Sequence, residues 1–178
     1  MSIEAGDLID FGFENVNTIL TGRYEMTTQL STAEKIDPGV SDYDSWSRFY
    51  AEHMAALDGG NVASWSADFL PEAIFTASGL ENPLRGARQI GDAAAAGYAA
   101  REKSGVRHRH LVSMLRIEPR TPILTRATSY VLVIESRAGG GSEIYASTLC
   151  EDLLVRRGDR WQIRFRRVTR DDSAWGRP

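Results

Sequence analysis

The sequence predicts a single α+β domain in which a curved antiparallel sheet wraps around three N-terminal helices to form a cone. Helical periodicity is confined to residues 41–105, whereas residues 106–171 contain four long runs of strand-forming residues joined by short turns. The 178 residues are 42% hydrophobic and 25% charged, which is typical of one globular domain. A cone of this kind encloses an apolar, closed-ended pocket that suits small-molecule chemistry.

The first helix is predicted to begin at residue 41. Residues 1–40 have no regular apolar spacing, so we expect a flexible N-terminal arm there and one domain over residues 41–178. Ser41 and Asp42 are favoured N-cap residues, and Gly59-Gly60 ends the helix. Between them, apolar and aromatic residues recur at three- and four-residue steps, as in an amphipathic helix: Tyr43, Trp46, Tyr50, Met54 and Leu57.

Two more helices and a short strand complete the first half of the domain. Residues 62–69 predict a short helix that ends before Pro71, because proline cannot continue a helix. The stretch "AIFTAS" (73–78) predicts a strand. The alanine-rich stretch "GARQIGDAAAAGYAAREKSG" (86–105) predicts the third helix.

Four long strands follow from Val106 onwards. They are "VRHRHLVSMLRIEP", "LTRATSYVLVIESR", "SEIYASTLCEDLLVRR" and "RWQIRFRRVTRD". Their connections at Pro119–Pro122, Ala138–Ser142 and Gly158-Asp159 contain the turn residues of β-hairpins, so an antiparallel meander is expected. In residues 156–170 the arginines are interleaved with apolar residues, and we expect these arginines on the exposed face of the last strand.

Composition excludes several classes of function. A net charge of -3 and a pI of about 5.7 give no reason to expect a nucleic-acid partner. No apolar run approaches the roughly 20 residues of a membrane helix, so no membrane association is expected. The single cysteine, Cys150, excludes an internal disulfide and a multi-cysteine zinc site, and a reducing cytoplasm is the expected location.

A homodimer is the predicted oligomeric state. The last strand alternates arginine with apolar residues such as Ile163, Phe165 and Val168. A curved sheet cannot bury both of its faces within one chain, so its outer face is the expected dimer contact.

Three stretches resemble one known superfamily. They are "ALDGGNVASWSADFLPEAIF" (56–75), "RHRHLVSMLRIEP" (107–119) and "DLLVRRGDRWQIRFRRV" (152–168). Together with the order of elements, they resemble the cone-shaped fold of nuclear transport factor 2 and, within it, the SnoaL-like branch. That branch includes polyketide cyclases, scytalone dehydratase and pyran-forming, epoxide-opening cyclases, and the small subunits of aromatic-ring-hydroxylating dioxygenases look similar. The resemblance covers residues 41–172.

The resemblance to scytalone dehydratase implies a first set of site residues. Asp58, after the first helix, and His110, on the first long strand, match the aspartate and histidine of the dehydratase pocket. Three other pocket positions of the dehydratase fall at Ala77, near Glu135 and near Cys150, and do not match.

The resemblance to the epoxide-opening cyclases implies a second, overlapping set. These enzymes use a histidine, a glutamate and pocket tyrosines. His110, Tyr98 and either Glu135 or Glu143 are able to supply that set.

The chemistry of these side chains fits acid/base catalysis. An imidazole has a pKa near 6.5, and a neighbouring carboxylate such as Asp58 holds it in one tautomer. A buried glutamate, Glu135 or Glu143, would have its pKa raised and would share proton transfer with His110. Tyr50 and Tyr98 are expected to bind substrate by donating hydrogen bonds to its oxygen. Such a site requires no metal and no organic cofactor.

The two remaining histidines are not expected to take part in catalysis. His108 lies nearer the start of its strand than His110, so we expect it at the pocket mouth or surface and expect it to be dispensable. His108 and His110 would face one side of the strand and resemble half of a metal site, but the further ligands are missing from the pattern. His53, on the first helix, is expected to serve packing or solvation.

The leading functional expectation is therefore a cofactor-free enzyme of specialised metabolism. It would cyclise, isomerise or dehydrate an apolar, oxygenated small molecule. The alternatives are a non-catalytic small subunit of a ring-hydroxylating dioxygenase and a small-molecule binding module.

Overall fold

The computed structural model describes residues 40–173, so residues 1–39 of the predicted arm lie outside the described range. The three predicted helices are present as α1 (Val40–Asp58), α2 (Val62–Ala67) and α3 (Gly86–Lys103). The strands are β1 (Phe69–Ala77), β2 (Leu84–Arg85), β3 (Val106–Thr121), β4 (Leu124–Arg137), β5 (Ser142–Arg157) and β6 (Arg160–Arg170). None of the helices within residues 40–173 is long and apolar enough to cross a membrane.

All six strands form one sheet in the order β2-β1-β6-β5-β4-β3. The predicted meander is confirmed, because β3, β4, β5 and β6 pair in succession and antiparallel. The sheet is nevertheless mixed rather than wholly antiparallel, since β1 runs parallel to β6. The reason is topological: α3 and the meander form a long crossover that returns the chain beside β1 in the same direction.

The first strand is longer than the sequence predicts. It begins at Phe69 instead of Ala73, and Pro71 lies within it rather than marking its limit. Because β2 pairs only with Ile74 and Phe75, the start of β1 has no neighbour on that side. A proline at such a free edge removes no ladder hydrogen bond, which is why the strand tolerates it.

The concave face of the sheet and the helices share one core. The predicted apolar stripe of α1 is confirmed for Trp46, Tyr50 and Met54, which are buried, whereas Tyr43 is half exposed. Strand β4 shows the inward alternation most clearly, because every second residue from Thr125 to Glu135 is buried. The other large members of the core are Trp65, Phe69, Leu70, Ile90, Leu154 and Ile163.

One arginine of β6 contradicts the predicted exposed face. Arg166 is only 2% exposed and pairs in register with Asp152 of β5. An irregularity in the β5–β6 ladder between Leu153 and Leu154 changes the alternation, so Arg166 points inward. Arg156, Arg157 and Arg160 are exposed, as predicted.

Candidate functional site

A histidine–aspartate pair lies where the end of α1 meets β3. His110 Nδ1 lies 2.5 Å from Asp58 Oδ1, and the backbone N–H of His110 donates to Oδ2 of the same carboxylate at 2.9 Å. This double contact fixes the imidazole relative to the strand. Because Nδ1–H donates to the carboxylate, the neutral ring presents a free lone pair at Nε2. Within residues 40–173, that nitrogen has no hydrogen-bond partner.

Two cavities flank this pair. The larger, about 670 Å³, lies between α1 and β3, and His110 lines it. Its apolar lining includes Met54, Val112 and Leu115. The smaller, about 400 Å³, lies between the C-terminal half of α3 and the ends of β3 and β4. Asp58 lines both cavities and so stands in the wall between them.

The second histidine of β3 has its own carboxylate. His108 Nε2 lies 3.1 Å from Glu135 Oε2, and Arg137 also contacts Glu135. The strand register explains this choice, because His108 faces Glu135 across β3 and β4 whereas His110 faces Val133. Glu135 is buried, and its carboxylate contacts His108 rather than His110.

The other glutamate predicted for the site is placed differently. Glu143 lies opposite Glu135 on β5, is exposed, and lines neither of the two cavities. His108 is more enclosed than a residue at a pocket mouth, since its side chain is 11% exposed and its ring packs against Tyr145 with centroids 4.8 Å apart.

The tyrosines differ in what they offer a ligand. Tyr50 lines the larger cavity, but its hydroxyl donates to Asp152 at 2.7 Å. Burial, and then the Asp152 charge, raise the pKa of Tyr50 well above its ordinary value, so this proton is retained. In this structure the Tyr50 proton is already donated to Asp152, and donation from Tyr50 to substrate stays a prediction.

Tyr98 lines the smaller cavity and packs against the turn after α1. Gly60 has a φ of 78°, and a β-carbon placed on it would lie 2.5 Å from Tyr98 Cζ. The position therefore requires glycine both for its backbone conformation and for the close approach of the ring.

A buried polar network, which was not among the features predicted from the sequence, extends from Tyr50 into the core. Arg166 holds Asp152 with two hydrogen bonds of 2.7 Å, and its Nη1 donates to His53 Nε2 at 2.8 Å. His53 must therefore carry its proton on Nδ1, which donates to Asp68 at 2.9 Å. Burial and the Arg166 charge lower the pKa of His53 to about 4, so the ring is neutral near pH 7.

Two sequence signals pointed to this network. His53 follows Tyr50 by three residues and therefore lies on the same helix face as the apolar stripe. Asp152, together with Glu151, interrupts an apolar run from Leu149 to Val155, and a buried charge in such a run requires a partner. Cys150 is itself buried, and burial raises the pKa of its thiol, which agrees with a packing role.

Potential metal ligands do not cluster within residues 40–173, where no three His, Cys, Asp or Glu side chains come together as a metal site would require. The two histidines of the strand pair with different carboxylates, and their ring centroids lie 6.5 Å apart.

Solved structures similar to this chain come from several bacteria. Aln2 from a Streptomyces species is 27% identical, with a TM-score of 0.70 over 76% of this chain and 94% of that protein. A protein from Catenulispora acidiphila, solved in complex with S-DNPA, is 28% identical, with a TM-score of 0.65 over 74% of this chain and 95% of its own.

A third structure shares the fold alone. The beta subunit of a putative aromatic-ring-hydroxylating dioxygenase from Novosphingobium aromaticivorans is 18% identical, with a TM-score of 0.60 over 74% of this chain and 90% of that subunit. Curated protein sequences contain no match. Residues 39–167 match the SnoaL-like domain. The resemblance seen in the sequence is thus confirmed, and the chain belongs to the SnoaL-like family and has the nuclear-transport-factor-2-like fold.

Proposed function

We propose that this protein is an acid/base enzyme that cyclises, isomerises or dehydrates an apolar, oxygenated small molecule. The observation that carries the proposal is the His110–Asp58 pair in the wall of the 670 Å³ cavity. The S-DNPA complex of the Catenulispora protein supports small-molecule binding by this family. A cavity of this size that is lined by both apolar and polar side chains is able to hold a small molecule.

In the proposed mechanism, His110 Nε2 moves the proton. Asp58 orients the ring through Nδ1 and stabilises the imidazolium that forms when Nε2 accepts a proton. Glu135 contacts His108, and the Tyr50 proton is donated to Asp152. The His110 imidazole therefore acts as both the general base and the general acid. In a dehydration or an epoxide-opening cyclisation, it removes a proton from carbon or from a hydroxyl, and the electron pair left behind forms the new C=C or C–O bond. The C–O bond that breaks leaves its electron pair on oxygen, which takes the proton from Nε2. In an isomerisation, the same imidazole returns the proton to a different atom of the substrate.

Turnover of candidate polyketide and epoxy-phenol substrates, measured by mass spectrometry, tests this mechanism. We expect His110→Ala to lower turnover at least about a hundredfold with the fold intact, which is the usual contribution of a proton-transfer group. His108→Ala, the matched control two residues away, should cost less than about tenfold, and Asp58→Asn should lie between them. A His110→Ala variant that keeps most of its activity would contradict the proposal.

The alternative of a non-catalytic dioxygenase subunit is supported by fold similarity alone. Co-purification with an iron–sulfur partner protein, together with no turnover by the isolated chain, would favour it.

We further propose that the chain forms a homodimer through the outer face of the sheet. Large apolar side chains on the meander strands are exposed there, including Leu111 (45%), Tyr130 (58%) and Ile144 (64%). Exposed apolar groups of this kind are typical of an interface. Sedimentation of a monomer at micromolar concentration would count against it.

A further inference from the structure

One residue at the larger cavity has a strained backbone. Met114 has a φ of 50°, a conformation that no other non-glycine residue adopts within residues 40–173. Left-handed backbone is unfavourable for a methionine, because its side chain has no polar group to hydrogen-bond locally as asparagine does. Residues held in such strained conformations cluster at active sites and at sites that clamp a ligand.

A β-bulge produces the strain. Ser113 of β3 pairs with Tyr130 of β4 and Arg116 pairs with Thr128, so two residues of β3 stand opposite one residue of β4. The bulge re-aims the side chains around it, which is a frequent use of bulges beside active sites. Leu115 packs against the core, whereas Met114 is 76% exposed. Packing within the folded chain therefore does little to offset the cost of Met114.

The surroundings of Met114 indicate what the side chain contacts instead. Met114 and Tyr43 both line the larger cavity, on β3 and on α1 respectively. Tyr43 is also 50% exposed, so each presents apolar surface to solvent in the free protein. The same cavity is also lined by Met54 and Val112, which are apolar, and by His110. The exposed pair and the proposed proton-transfer group thus line one cavity.

We propose that Met114 and Tyr43 form an apolar lip that determines specificity by gripping an aromatic part of the ligand. The inference rests on the proposed function, in which the oxygenated part of the same ligand lies at His110. A flexible thioether adapts to an aromatic ring and makes favourable sulfur–ring contacts, and a tyrosine ring adds a rigid second wall. The strain at Met114 is retained because it directs this side chain towards the ligand.

Substitutions at one position separate the backbone from the side chain. Met114→Gly removes both the strain and the thioether, Met114→Ala removes only the thioether, and Met114→Leu keeps an apolar side chain on the strained backbone. The measurements are the thermal midpoint Tm of the full chain and the Kd of 1-naphthol, followed by naphthol fluorescence.

We expect the Tm of Met114→Gly to exceed that of Met114→Ala by about 2–4 °C, because only glycine relieves the positive φ. Both variants should bind 1-naphthol at least about fivefold more weakly than the wild type, and Tyr43→Ala should do the same. Met114→Leu should stay within about twofold of the wild type in Kd.

Either of two results would refute the proposed lip. Equal Tm values for the glycine and alanine variants would show that the backbone at Met114 is not strained. A wild-type Kd for Met114→Ala would show that the Met114 side chain does not contact the ligand. A wild-type chain that binds no 1-naphthol would also refute it. These outcomes are independent of the turnover test on His110, which decides the proposed function by itself.

Discussion

Acid should destabilise this protein through His53 before its carboxylates are protonated. His53 is buried and neutral, with Nε2 accepting from Arg166 and Nδ1–H donating to Asp68. A second proton on the ring would have to bind Nε2, whose lone pair accepts the hydrogen bond from Arg166. The imidazolium would then lie directly against the positively charged guanidinium. Burial and Arg166 accordingly lower the pKa of His53 to about 4 in the folded chain. In the unfolded chain the pKa returns to about 6.5.

The sign and size of the effect follow from this difference. Between pH 6.5 and pH 4 the unfolded chain binds more protons than the folded one, so the free energy of unfolding falls as the pH falls. With a folded pKa of about 4, the loss relative to pH 8 is about 2 kcal/mol at pH 5 and about 3 kcal/mol at pH 4. Losses of this size are a large fraction of the stability of an ordinary domain.

Urea unfolding at several pH values between 8 and 5, followed by tryptophan fluorescence, measures this loss. The comparison variant is His53→Gln, whose amide does not titrate and can donate to one neighbour and accept from the other. It should be less stable than the wild type at pH 8 and should lack most of the acid-dependent slope. The control His108→Gln keeps His53 and should keep the slope. A wild-type slope no steeper than that of His53→Gln would refute the reasoning.

Three further predictions concern the turn, the core and the chain terminus. Gly60→Ala should lower the free energy of unfolding by about 2–3 kcal/mol, because alanine is strained at a positive φ and its β-carbon would clash with Tyr98. The control Gly139→Ala, where φ is 72° and the space is open, should cost only about 1 kcal/mol in the same urea titration. Asp152→Ala should cost about 3–5 kcal/mol, because it leaves the Arg166 charge buried without a counter-charge, and a cost below about 1 kcal/mol by urea unfolding would contradict the buried pair. Removing residues 1–40 should leave the Tm nearly unchanged, and a fall of more than about 10 °C in calorimetry would show that the segment is not a dispensable arm.

Local sequence patterns predicted the elements well, because each pattern reports on a short stretch of chain. The stripe of Trp46, Tyr50 and Met54 predicted the buried face of α1, and the turn residues predicted the meander. The contact between Asp58 and His110, by contrast, was indicated by family resemblance, since no spacing rule connects the end of a helix with a strand 52 residues later.

The side-chain contacts that the sequence did not predict depend on the register of the strands. The partner of Glu135 follows from which residue of β3 faces it, and the inward direction of Arg166 follows from a ladder irregularity. A shift of one residue exchanges the faces of a strand, so alternation alone cannot assign a side chain beyond a bulge. The strain at Met114 has the same origin, because no residue preference predicts a positive φ at methionine.

The parallel contact of β1 with β6 has a consequence for how the chain reaches its native state. Phe75 and Arg166 are partners in this ladder although 91 residues separate them. During synthesis β1 therefore leaves the ribosome long before its neighbour exists, and the entropy of closing so large a loop must be lost before the pair can form. Contacts this distant in sequence slow folding, so we expect closure of the sheet at β1 to be a late event.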